Sequence, residues 1–165
     1  MTAPAIETIA SQDAATNEAL IALNNANAVE TSFLTSNQWQ SMIQGAFSAT
    51  CMREPAALLI TFDQDADYDS VNFQWFRERL DRFVYIDRIV VSENHRDAGL
   101  ARILYDQLFT LARAAGHHTV TCEVNAEPPN FGSDAFHARM GFEEMGLAAL
   151  VDRSKTVRYF TKPLL

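Results

Sequence analysis

Phe83-Val84-Tyr85-Ile86-Asp87-Arg88-Ile89-Val90-Val91 is rich in β-branched and aromatic residues and almost continuously apolar at its end. That is the pattern of a strand buried in the middle of a sheet. Ser92 to Gly99 reads as a loop, and beyond it Leu100, Ile103, Leu104, Leu108 and Leu111 recur at helical intervals, with Gly116 suited to the residue just past the helix end. Thr119–Asn125 then alternates, Val120, Cys122 and Val124 on one face and Thr121, Glu123 and Asn125 on the other. Strand, loop, helix and strand make a βαβ unit, so the sheet contains at least one parallel pair joined by a right-handed crossover.

Working outward, Pro128-Pro129 ends that unit, a short helix from about Ser133 to Met140 stops at Gly141, and strands near Phe142–Val151 and Thr156–Thr161 can pair as a terminal hairpin. Upstream, Asp13 is placed to cap a helix carrying Ala14, Leu20, Ile21, Leu23 and Ala28, and Ser36 or Asn37 a second with Trp39, Met42, Ile43 and Phe47 on one side. Strands around Ser48–Arg53 and Ala56–Phe62 turn at Glu54-Pro55, and Asn72–Arg79 is aromatic-rich and helical in part. With no internal repeat or linker, the 165 residues are read as one domain, 1–165, of the α/β (α+β) class.

Composition narrows the function. Thirteen Lys and Arg stand against 21 Asp and Glu, a net charge of −8, so a sequence-independent grip on nucleic acid or on anionic lipid would work against the chain's own field. The longest apolar run, Ala56–Ile60, is far below the ~20 residues of a membrane helix. Met1-Thr2-Ala3-Pro4-Ala5 lacks the basic and apolar regions of a secretory leader, and Cys51 and Cys122 lack Cys-x-x-Cys spacing. Both cysteines are expected to be buried, reduced thiols of a cytoplasmic protein.

The loop Arg96-Asp97-Ala98-Gly99-Leu100-Ala101 opens the long helix, whose first N–H groups have no internal partners and, with the macrodipole, attract an anion. Gly99 and Ala101 are small enough to let a phosphate approach the main chain, and Arg96 adds positive charge. A routine turn glycine explains the loop equally well on its own.

Taken together, Val91 to Ala101 resembles the Arg/Gln-x-x-Gly-x-Gly/Ala signature of the GNAT superfamily of acyl-CoA-dependent N-acyltransferases. Glu123-Val124-Asn125, Asn130, Ser133, Phe136-His137 and Met140-Gly141-Phe142 resemble its second motif, so the likeness spans about Tyr85–Phe142. It implies a three-layer fold with a mixed, mostly antiparallel sheet of about six or seven strands flanked by helices and splayed at its centre. It further implies acetyl-CoA (coenzyme A) as cofactor, Ile89, Val90 and Val91 pairing with the pantetheine arm, Arg96, Asp97, Ala98, Gly99, Leu100 and Ala101 binding the pyrophosphate, and Asn125, Asn130 and Ser133 lining the same site.

The implied reaction is direct attack of an amine on the thioester, most simply acetyl transfer. It needs a base for the amine and a proton for the departing thiolate. Asp87 and Glu123 both match strand positions where the family carries such a carboxylate, and the residues do not choose between them. His137 occupies the place of the family's usual tyrosine acid; imidazole, with an ordinary pKa of ~6.5 against ~10 for phenol, carries the donating proton as imidazolium in only a minor fraction at neutral pH, though the neutral ring can still donate a hydrogen bond. Packing beside Phe136 is the equal alternative, and Asn130 is equally suited to capping the short helix. A CoA-binding sensor without turnover is the competing reading. The expected partner is a small-molecule or peptide amine, with the acidic balance leaning toward a cationic one, and a homodimer stays open.

Other signals carry less. The acidic run Asp63–Asp69 has Tyr68 where a calcium loop needs Gly and Gln74 where it needs Glu. His117-His118 has no partner at metal-ligand spacing and reads as a surface turn. No metal is expected. Phe73, Trp75 and Phe76 lie on a connection that looks too short to hide three large rings, so they are expected, with Tyr85, to wall an acceptor pocket.

Overall fold

A computed structural model describes residues 4–165; Met1-Thr2-Ala3, part of the stretch read for a leader, lie outside the described residues. The order is β1 (Ile6–Thr8), α1 (Ala14–Ala26), α2 (Ser36–Gly45), β2 (Ser48–Met52), β3 (Ala57–Asp63), α3 (Val71–Arg77), β4 (Val84–Val91), α4 (Leu100–Ala114), β5 (Thr119–Glu127), α5 (Phe131–Arg139), β6 (Glu143–Leu150) and β7 (Lys155–Pro163), with three short 3-10 turns between them. Asp13 caps α1 by accepting from the Thr16 N–H at 2.8 Å. Helix α2 is capped one residue earlier than Ser36: Thr35 Oγ1 accepts from the Gln38 N–H at 3.2 Å while Gln38 Oε1 accepts from the Thr35 N–H at 2.9 Å. This reciprocal box satisfies two donors where Ser36 would satisfy one.

The strands form one sheet in the order β1-β2-β3-β4-β5-β7-β6. Among the described residues only β4 and β5 run parallel, and the terminal hairpin β6–β7 pairs as expected, with β7 inserted beside β5. Strand β1, too short to show a periodicity, pairs with β2 through Ile6–Met52, Glu7–Cys51 and Thr8–Thr50.

Helices sit on both faces. Alternation along β3 sends Ala57 and Leu59 toward the layer of α4, and Leu58 and Ile60 toward α1, α2 and α3. The buried stripe of α4 is Leu100, Leu104, Tyr105, Leu108, Phe109 and Ala112, rotated from the expected one: Ile103 is half-buried and Leu111 exposed. Tyr105 and Phe109 take those places because large rings fill the space against Phe136 and Phe142. Cys51 and Cys122 are free and buried, and burial pushes both thiols above their ordinary pKa, Cys51 to about 11. His117 is buried rather than at a surface turn, packed edge-on to Phe47 at 5.2 Å. Among the described residues no helix is long and apolar enough to cross a membrane.

Candidate active site

The site begins with an irregularity in β4. Ile86 pairs with Thr61 and Arg88 with Ile60, which leaves Asp87 as the extra residue of a β-bulge. A bulge bends its strand and re-aims the extra side chain. Just before it the pairing of β4 with β5 stops: only Val84–Val120 and Tyr85–Thr121 are joined. From Ile86 onward the two strands part, so the edge of β4 that faces β5 has backbone groups without a strand partner. A cleft of about 770 Å³ opens there.

At the end of β4 the chain makes a 3-10 turn, Glu93–His95, and enters α4 through Asp97 at φ +64° and Gly99 at φ +76°. No side chain caps α4, so its leading N–H groups remain available. A Cβ placed on Gly99 would meet nothing within 4 Å, which makes the spot an open cradle in front of a helix N-terminus. Arg96 stands beside it, its guanidinium donating to Asn27 Oδ1 at 3.2 Å. Free strand edge, uncapped helix and open glycine fit a phosphate-bearing thioester such as acetyl-CoA. Of the residues expected to bind it, all but Ala98 line the cleft. Asn130 both lines it and caps α5, accepting from the Ser133 N–H at 3.2 Å.

The two candidate carboxylates face the same opening, each two residues beyond the last β4–β5 pair, Tyr85–Thr121. They differ in what holds them. Asp87 Oδ2 accepts from Arg88 Nε at 2.7 Å in an ion pair whose side chains are only 5% and 4% exposed, and Oδ1 accepts from the Tyr68 hydroxyl. Arg88 continues to Asn24 Oδ1 at 2.9 Å and Ser32 Oγ at 3.3 Å, tying the bulge to the α1–α2 loop. Glu123 has only neutral donors: the Tyr85 hydroxyl on Oε2 at 2.7 Å and Asn72 Nδ2 on Oε1 at 3.0 Å. Half-buried at the cleft floor, its carboxyl is pushed up to about 8 by loss of solvent, with repulsion from Asp87 adding to the rise and both hydrogen bonds opposing it.

His137 is buried, and both ring nitrogens are engaged. A carbonyl oxygen only accepts, so the 2.8 Å contact of Nδ1 with the Ser133 carbonyl places a proton on Nδ1. Nε2 then accepts from the Tyr105 hydroxyl at 2.8 Å. Burial lowers the imidazole pKa, which favours this neutral form. In it no N–H is left to give to a thiolate, so the ring is committed to joining α5 to α4.

The aromatic residues expected to wall an acceptor pocket do not line the cleft. Phe73 and Phe76 are fully buried because α3 sets them three residues apart on one side, where they meet Phe83 and Tyr85. Tyr85 is buried beneath Glu123. Trp75 lies half-buried on the flank of α3, stacked on Tyr159 at 4.0 Å and pressed on Gly146, where a Cβ would come within 2.6 Å of the indole. Sequence reasoning named Arg88 as a possible ion-pair partner for a strand carboxylate, and the structure pairs it with Asp87; it missed Tyr68, Asn72, Tyr105 and Tyr159. None belongs to a motif, and each reaches the site only through tertiary pairing.

A mixed sheet parted at its one described parallel pair, above an uncapped helix behind a glycine turn, makes a cleft with free backbone donors at one end and two carboxylates at the other. A model of the acetyltransferase (GNAT) family matches residues 44–142, and the chain belongs to that family. Among solved structures it is similar to the NatC complex bound to Gag peptide and CoA (12% identity, 99% of this chain and 100% of that one, TM-score 0.77). It is also similar to the ribosomal-protein-S18-alanine N-acetyltransferase of Escherichia coli (15%, 98% and 94%, 0.69) and to NAA60 of Arabidopsis thaliana in complex with acetyl-CoA (15%, 98% and 99%, 0.72). At such identities the likeness is one of fold. No curated protein matches the chain by sequence.

Proposed function

We propose that the protein transfers an acetyl group from acetyl-CoA to a primary amine by direct attack, with Glu123 as the base. The observation that carries this reading is the pair of unlike carboxylates in one cleft: Asp87 held in an ion pair, Glu123 held only by neutral donors with a carboxyl pKa near 8. A base of that pKa suits an amine at neutral pH, because it is basic enough to take the proton and still partly ionised. Bound acetyl-CoA supplies the acyl carbonyl and the thiolate leaving group. The chain's residues do the rest. Unpaired N–H groups of β4 between Ile86 and Val91 offer donors along the cleft. Arg96 and the first turn of α4 hold negative charge. Asp87, its charge balanced by Arg88 and its orientation fixed by Tyr68, lines the same opening and offers an acceptor to an entering ammonium. Glu123 then takes one proton from the incoming ammonium, the freed lone pair forms the C–N bond as the C–S bond breaks, and the second N–H proton passes through water to the departing thiolate.

The acceptor is an amine of a peptide or a small molecule. The peptide arm is supported by two fold neighbours, one solved with a Gag peptide and one described as an alanine N-acetyltransferase of a ribosomal protein. The test is thiol release from acetyl-CoA across a panel of peptides with free N-termini, polyamines and lysine-like amines. Release with at least one acceptor, abolished in Glu123→Gln, is expected. Tight acetyl-CoA binding with no release from any amine overturns the reading in favour of a sensor.

A further inference from the structure

The β3–β4 connection is more than a spacer. Two of its side chains reach the two carboxylates of the cleft: the Tyr68 hydroxyl donates to Asp87 Oδ1, and Asn72 Nδ2 donates to Glu123 Oε1 at 3.0 Å. Gln74 of α3 binds the Tyr68 carbonyl at 2.7 Å, so the two donors belong to one locally braced unit.

Asn72 is buried, and its other end is fixed as well. Its Oδ1 accepts from the Tyr159 hydroxyl at 2.8 Å. When Glu123 is ionised the amide has one sensible orientation, since turning it over would set its oxygen against the carboxylate. The fully buried Tyr159 is itself immobilised: Trp75 stacks on it at 4.0 Å with planes 13° apart, and Arg79 lies 4.0 Å over the Trp75 ring. Trp75, Tyr159 and Asn72 thus form a backing for one carboxylate oxygen, with the polar links all donating toward Glu123.

We infer that Asn72 is a positioning residue for Glu123: helix α3 and strand β7 hold it so that Oε1 stays engaged and the remaining lone pairs of the carboxylate face the cleft. This rests on the reading of Glu123 as the base. The titratable groups around that carboxylate are Asp87 and Tyr85 from β4, Tyr68 from the connection, Tyr159 from β7, Tyr105 from α4 and Cys122 on its own strand. Burial holds each of the four hydroxyls and the thiol above its ordinary pKa, so they stay neutral through the working range. Arg88 is spent on Asp87, and no Lys or Arg of the described residues forms a salt bridge with Glu123. Neutral donors are therefore the groups that favour its ionised form, and deleting one must move its titration upward.

The test uses the full chain without ligand, so it needs no acceptor. The Glu123 side-chain carboxyl carbon is followed by 13C NMR against pH, its signal identified by its loss in Glu123→Gln. The midpoint is compared in wild type, Asn72→Leu, Tyr159→Phe and the double variant. Asn72→Leu is expected to raise it by at least half a pH unit, about threefold in proton affinity. Tyr159→Phe, which keeps the ring stack and deletes one hydroxyl, is expected to raise it by less, and to add nothing to Asn72→Leu. If Asn72→Leu fails to fold, an unmoved midpoint in Tyr159→Phe alone overturns the inference. A wild-type midpoint at the ordinary carboxyl value removes the base reading itself. A raised wild-type midpoint that no variant moves removes only the role of Asn72.

Discussion

The Tyr85 hydroxyl donates to Glu123 Oε2 at 2.7 Å, reaching from the last joined pair of β4 and β5 across the point where the strands part. That contact stabilises a carboxylate that the site otherwise strips of solvent, and the balance sets its pKa near 8 against an ordinary 4.5. A carboxyl raised on folding contributes stability below pH 4.5 that is lost as pH rises through 8. Glu123→Gln keeps the shape and removes the charge. We expect it to abolish turnover yet to be more stable than wild type at pH 9 by about 1–3 kcal/mol, after screening by the open cleft is allowed for, with the difference shrinking toward pH 4–5. Thermal melts at both pH values check this; equal melting shifts at pH 5 and pH 9 would contradict it.

His137 makes the opposite prediction. Its imidazole pKa is lowered by burial, so the stability it contributes is present above the ordinary 6.5 and lost as pH falls below that value. His137→Phe orphans the buried Tyr105 hydroxyl, which is expected to cost about 1–3 kcal/mol at pH 7.5. The gap to wild type should narrow at pH 5. Adding Tyr105→Phe removes the orphan and should recover most of the loss. Because neither ring nitrogen has a proton to spare, the pH profile of kcat should keep its shape; a vanished limb in His137→Phe would restore the ring as the proton donor.

Residues Tyr85 to Phe142 were readable because their chemistry is local: a continuous apolar strand, a helix stripe and a glycine turn each announce themselves within a dozen positions. The turn at Gly99 follows from that order of elements, whereas the parting of the sheet is legible only through the family resemblance. The choice between Asp87 and Glu123 does not. It depends on a one-residue bulge that shows only as a pairing shift against Ile60 and Thr61, and on Asn72 and Tyr159, which lie 51 residues before and 36 after Glu123 in the chain. Capping of α2 at Thr35 was one position from the expected residue because adjacent Thr and Ser are both competent caps, and only Gln38 breaks the tie.

The burial of the aromatic segment is illegible in the sequence for a related reason. Loop length suggests exposure, but seven residues of α3 wound as a helix place Phe73 and Phe76 together under the sheet. Phe76→Ala is therefore expected to cost about 3–5 kcal/mol of stability. Its acceptor KM should be unchanged. Trp75→Ala should destabilise less, since its side chain is only half-buried. Chemical denaturation and steady-state kinetics separate the outcomes, and an acceptor KM raised tenfold in a variant of near-normal stability would return these rings to the acceptor pocket.

Gly99 offers the most direct test of the cradle. At φ +76° a side chain costs about 1 kcal/mol through backbone strain, and no neighbouring atom lies within 4 Å to add a clash. Gly99→Ala should therefore fold with a modest loss. Gly99→Glu carries the same backbone cost and sets a carboxylate before the free N–H groups at the start of α4, where it competes with any phosphate. Calorimetric titration with acetyl-CoA should show binding weakened at least tenfold in Gly99→Glu, while its melting temperature stays near that of Gly99→Ala. The comparison cancels the strain common to both variants and leaves only the effect of charge and bulk on the ligand. Equal affinity in the two variants would mean that phosphate binds elsewhere on the protein.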